Sequence, residues 1–81
     1  MTSIKKWIAR DAGTGPYNNA YYMLKEKAVE HAKRSLLSGE KKVVHIGRFS
    51  EAKYKRNERD WYVDVETWEL VNGVPKRVRR S

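Results

Sequence analysis

No cysteine occurs among the 81 residues, so neither a disulfide framework nor a thiolate metal site can staple a loop-rich structure. Stability has to come from packing. No apolar run approaches the ~20 residues of a membrane-crossing helix. The lysines near the N-terminus are not followed by the apolar stretch of a signal peptide. These absences lead us to expect a cytoplasmic protein, made whole, with no membrane partner.

Chemistry is equally sparse. His31 and His45 have no carboxylate or second histidine at ligand spacing, so packing or surface roles are expected, with no metal and no other cofactor. The turn-dense Gly13-Thr14-Gly15-Pro16 lacks the Lys-Ser/Thr of a P-loop, and Pro16 deletes an amide that a phosphate cradle would use. Glu51-Ala52-Lys53 has the Glu-x-Lys spacing of metal-dependent nucleases, but Asp11 is the only early acid available to complete such a set. No serine sits in a nucleophile elbow, and no acid pair lies in an apolar pocket pattern. The reading is a non-enzymatic binding protein.

What is present suits one small basic domain spanning residues 1–81. A chain this short buries only about 60% of the surface its unfolded form exposes. Three Trp, five Tyr and one Phe supply large side chains for a modest core. The formal net charge is +8, and it is banded: residues 41–59 hold seven basic and two acidic side chains, residues 60–71 none and four, and residues 72–81 four and none. Such a charge speaks to partners and solubility rather than to fold.

Residues Ile4–Arg10 read as a short strand, and Asp11–Pro16 as a break. Asn18 or Asn19 is positioned to cap a helix running from Ala20 to about Ser38, where Tyr21, Leu24, Ala28, Ala32 and Leu36 recur at helical spacing and Gly39 supplies the stop. Lys42–Ser50 is a strand, with Gly47 marking a bulge or a close approach by another backbone. Glu51–Asp60 reads as an exposed hairpin tip. Trp61–Val71 alternates as a strand, with Trp61, Val63 and Val65 on one face and Tyr62, Asp64, Glu66 and Trp68 on the other. Asn72-Gly73 demands a two-residue turn with positive φ. That turn sets Val71 opposite Val74, Leu70 opposite Pro75, Glu69 opposite Lys76, Trp68 opposite Arg77, Thr67 opposite Val78 and Glu66 opposite Arg79.

The expected fold is α+β, in the order β-α-β-β-β: one amphipathic helix packed on a three- to four-stranded antiparallel sheet. The helix stripe and the Trp61, Val63, Val65 face would form the core, and Tyr62 and Trp68 would lie on an open face.

Two basic regions with aromatics among them remain as candidate binding surfaces. Arg48, Lys53, Tyr54, Lys55, Arg56, Asn57 and Arg59 form the first, and Lys76, Arg77, Arg79 and Arg80 the second. Lysines and arginines neutralise phosphates, while Tyr54 offers a stacking plane and Arg56 and Asn57 can reach base edges. The segment Trp61–Ser81, an aromatic strand, an Asn-Gly turn and a basic strand, resembles the antiparallel DNA-reading sheets at the front of phage integrases. In those modules a helix follows the sheet, whereas here the main helix precedes it, so no residue role is carried over. DNA or RNA is the expected partner. The alternative is the acidic surface of a larger protein, docked by an inhibitor or adaptor of phage or mobile-element type through Tyr62, Trp68 and Arg77. An open sheet edge would also admit a homodimer.

Overall fold

The computed structural model describes residues 4–12 and 19–78. Strands and helices follow one another as β1 (Trp7–Ala12), β2 (Asn19–Tyr22), α1 (Lys25–Leu37), β3 (Val43–Phe49), α2 (Glu51–Lys55), β4 (Tyr62–Val71) and β5 (Val74–Val78). The fold is α+β: the strands form one antiparallel sheet in the order β2-β1-β3-β4-β5, with α1 packed across one face. No helix among the described residues is long and apolar enough to cross a membrane.

The sheet has five strands rather than three or four, because Asn19–Tyr22 extends and pairs with β1 instead of opening the helix. Its side chains alternate in exposure with a period of two. Tyr22 packs against the core and Tyr21 turns to the opposite face. The helix begins only at Lys25, with extended Leu24 as its N-cap and no side-chain cap bond. Residues 13–18, including the expected cap at Asn18, lie outside the described residues.

Within α1 the expected stripe holds from Ala28 onward. Ala28, Ala32 and Leu36 are fully buried against Ala9, Val44 and Ile46, with Trp7, Tyr22, Val29 and Trp68 packed around them. Two alanines at a spacing of four keep the helix close to the sheet, and Leu36 fills the space near its end. Gly39 at φ +80° terminates the helix as expected.

The largest departure concerns β4. Ile46 pairs with Glu66 but Gly47 with Asp64, so Val65 is an extra residue without a partner on β3. Such a bulge switches the faces to which the two halves of a strand present their side chains. Glu66 and Trp68 therefore face the helix, while Tyr62 and Asp64 face away from it. The expected Trp61, Val63, Val65 core face does not form: these residues are 37%, 46% and 50% exposed. Nor do Tyr62 and Trp68 share an open face. Tyr62 is buried at 8% exposure, and Trp68 packs on the core beneath Lys33.

The face away from α1 has its own cover. Tyr21 on β2 and Tyr62 on β4 bring their ring centroids to 5.7 Å of each other, although two strands separate theirs. At roughly 4.8 Å per strand spacing, the rings can meet only by lying over Ile8 and Gly47, which are directly opposite each other between them. Ile8 is accordingly 1% exposed. Phe49, Tyr54 and Trp61 continue the aromatic chain toward α2, with centroids 4.9–6.0 Å apart.

The β4–β5 hairpin pairs as read from the sequence, from Val71↔Val74 to Thr67↔Val78, with Asn72 and Gly73 both at positive φ. The expected Glu66–Arg79 pair reaches a residue outside those described. Among the described residues, Glu66 bonds Lys25 and lies 3.5 Å from Arg77.

Gly47 carries the clearest stability prediction. A Cβ there would stand 2.8 Å from Ile8 Cγ2, a methyl held between two strands under a tyrosine. Within a strand Gly→Ala ordinarily helps. Here Gly47→Ala should lower stability by about 1–3 kcal/mol, the usual cost of overpacking, seen as a reduced urea midpoint at unchanged m-value.

Candidate functional site

Of the seven described cations singled out in the sequence, Lys53, Lys55, Arg56 and Arg77 are already engaged. Residues 51–55 are not a featureless hairpin tip but the short helix α2, whose N-cap Ser50 accepts a hydrogen bond from the Lys53 amide. The helix spacing then sets Lys55 against Glu51 at 3.4 Å. Arg56 meets Glu58 at 2.6 Å. Lys53 donates to the Tyr62 carbonyl at 3.0 Å and lies 3.9 Å from Asp60. Asn57, read as a base-edge contact, sits at φ +57° and ends α2, a place where asparagine tolerates the left-handed conformation. Tyr54 stacks edge-on against Trp61, which leaves it half exposed. Arg59 is exposed and has no ion pair among the described residues.

The two basic regions do not converge. Lys76 is opposite Glu69 and Arg77 opposite Trp68, on the half of β4 remote from α2. Seven residues separate Glu69 from Tyr62, roughly 23 Å of strand. Arg77 lies 3.5 Å from Glu66 while its side chain stays largely exposed. Arg79 and Arg80 lie outside the described residues. Of the three anchors considered for a protein partner, Tyr62 and Trp68 are spent on packing and Arg77 on an ion pair.

The histidines have structural partners: His31 Nδ1 is 2.7 Å from the Tyr22 hydroxyl, and His45 Nδ1 is 2.9 Å from Thr67 Oγ1. No group of three metal-ligating side chains occurs among the described residues. Glu51 and Asp11, the acids of the nuclease-like spacing, are held by separate lysines, Lys55 and Lys41.

A different surface emerges where α1 stops short of the sheet's end. Trp7, Arg48 and Val63 are neighbours across β1, β3 and β4 and point to the helix side, beyond the helix N-terminus at Lys25. With Val65 of the bulge and Lys6 they line an open groove of about 900 Å³. Its floor is apolar, since Val63 and Val65 are about half exposed and one wall is the Trp7 indole. Lys6 and Arg48 are exposed, with no ion pair among the described residues. Glu51 also borders the groove, engaged by Lys55. Lys25, held by the buried Glu66, lies 5.8 Å from the Trp7 centroid and fixes that wall.

Only Arg48 of this group was marked as a contact residue by its sequence surroundings. Lys6 and Trp7 carried no signal beyond a basic start to a strand, and Val63 and Val65 read as core.

No known family model matches the chain, and neither a curated protein nor a solved structure is significantly similar to it. Its own geometry must therefore carry the functional reading.

Two acids secure the frame around the groove. Asp60 receives both Arg10 guanidinium nitrogens, at 2.5 and 2.7 Å. Those bonds, against an opposing desolvation, hold its carboxyl below the usual aspartate value and raise the arginine further. For Glu66, burial is the largest single effect and opposes ionisation. The Lys25 bond, the Trp68 N–H and the nearby charges together outweigh it, so its pKa is also lowered.

A lowered folded pKa means stability that is full above the unfolded value, about 4, and lost as pH falls through the folded one. The urea midpoint of the wild type should therefore drop between roughly pH 5 and pH 2. The double variant Asp60→Asn, Glu66→Gln should be less stable at pH 7 and show a distinctly flatter acid limb. An unchanged limb would mean that other carboxylates govern it.

Proposed function

We propose that this protein binds nucleic acid through the groove at the α2 end of its sheet. Lys6 and Arg48 take phosphates, and the exposed cations Lys55, Arg56 and Arg59 on and after α2 extend the basic track. The observation that carries the reading is the pairing of two cations that have no acidic partner among the described residues with an uncovered apolar floor, on a chain of net charge +8. Solubility alone requires no such floor, and exposed apolar groups rimmed by charged ones are a common feature of binding grooves.

The α2 cations belong to this track despite their partners. The Lys55–Glu51 pair is more than 70% exposed on both sides, and exposed pairs of this kind contribute little, about 0–1 kcal/mol. A phosphate can displace such a carboxylate at small cost. The Arg10–Asp60 and Lys25–Glu66 pairs are less exposed on at least one side, and they serve the frame.

The reading replaces the hairpin-tip site with a groove and drops the second basic region from the primary contact. An acidic protein partner is the weaker alternative, because its presumed aromatic anchors are engaged within the fold.

The test is fluorescence anisotropy of labelled nucleic acids across a salt series. Substituting both Lys6 and Arg48 by serine should weaken binding to all sequences and reduce the slope of log K against log salt by about 0.7–0.9 for each lost phosphate contact. Substituting Lys76, remote from the groove, should leave the slope nearly unchanged. Equal effects per charge removed would show that net charge, not this groove, attracts the ligand.

A further inference from the structure

Resting on that reading, we infer that the ligand is single-stranded, with an unpaired base laid on the Val63–Val65 floor against Trp7 and its flanking phosphates on Lys6 and Arg48. A duplex turns its phosphates outward and keeps its base faces stacked inside, so it can satisfy the rim of this groove but offers nothing to the floor. An unpaired base presents a flat, weakly hydrated face at a distance from its own phosphate, which matches an apolar strip bordered by cations.

The rest of the fold points the same way, because none of its elements suits a duplex groove. The outward side of α1 interleaves Glu26 and Glu30 with its lysines, all exposed, and those acids would confront phosphates on both sides of a major groove. Helix α2 has five residues, too short to lie along one. The two-stranded ribbon β4–β5 carries Glu69 beside Lys76 on one face and spends Arg77 on Glu66 on the other.

The bulge is what makes the floor. A strand kept in the Glu66–Trp68 register would turn both valines away from α1, and the shift at Val65 returns Val63 to the helix side, where α1 does not reach. Both are half exposed in a protein whose remaining helix-side apolar residues near the sheet centre are fully buried.

The experiment compares oligothymidine, oligouridine and a mixed-sequence duplex of equal length by anisotropy, for the wild type and for two variants. The first, Val63→Ser with Val65→Ser, strips the floor without altering charge or the buried core. The second is Arg48→Ser. Trp7→Ala is a less useful probe, because Trp7 also packs against the core.

The expected result is a single strand bound at least tenfold more tightly than the duplex near 0.15 M salt, where screening suppresses purely ionic attraction. The floor variant should then lose about tenfold in single-strand affinity, the order expected for one lost base contact, with its salt slope unchanged, whereas Arg48→Ser should flatten the slope. A duplex bound as tightly as the single strands, or a floor variant of wild-type affinity, would overturn the single-strand inference while leaving phosphate binding intact if Arg48→Ser still flattened the slope. Absence of binding to all three ligands would overturn both.

Discussion

One unpaired residue in β4 decides on which face of the sheet each aromatic of that strand lies. Val65 has no partner on β3, and the residue beside the shift on that strand is Gly47, which has no side chain to resist what crosses it. Upstream of the bulge, Tyr62 joins Tyr21 and Phe49 on the face away from α1. Downstream, Glu66 and Trp68 turn under the helix. A regular strand would have placed all of Tyr62, Asp64, Glu66 and Trp68 together, leaving either Ile8 uncovered or Lys25 without its acid. The bulge thus allows one small sheet to close a packed layer on each side with a single helix of useful length.

The electrostatics follow from this division. Acids concentrated in residues 60–71 are delivered to both faces: Asp60 and Asp64 to Arg10, and Glu66 to Lys25 and Arg77. They bind together elements far apart in the chain, and they pair cations that the charge count alone would leave free. What remains accessible is a subset defined by subtraction. It gathers where the helix ends and the sheet continues, so apolar and basic groups become neighbours there without having been adjacent in sequence.

Much of this was legible beforehand where the signal is local. Asn72-Gly73 dictated its turn because both positions need positive φ, and the register followed residue by residue. Ala28, Ala32 and Leu36 disclosed the helix face, and Gly39 its end. The start of the helix was misread because Tyr21, Tyr22 and Leu24 continue the helical spacing as well as they alternate, and pairing with β1 settles the choice only in three dimensions. The bulge left no mark on β4 itself, whose alternation is unbroken from Trp61 to Trp68. Its trace was Gly47, one strand away, which suggested a bulge but not which partner residue would be displaced. The site was the least visible part. The pairing of Arg10 with Asp60, 50 residues later, cannot be inferred from charge bands, nor can the failure of α1 to cover the last two registers of the sheet.

The position of β1 has a consequence for how the chain reaches this state. It is the first described strand, yet it is interior, flanked by β2 and β3, and its arginine is clamped by Asp60. Of its two neighbours, only β2 is available soon after β1 is made. Val44 and Ile46, which complete the layer beneath α1, and Tyr62, which covers Ile8, arrive much later in synthesis. Loop-closure entropy must then be met before these distant contacts compensate for it. An emerging chain consequently holds Ile8 and Ala9 without their final cover until β3 and β4 have been translated, and closure of both layers is a late event that unites β1 with residues as far as 50 positions downstream.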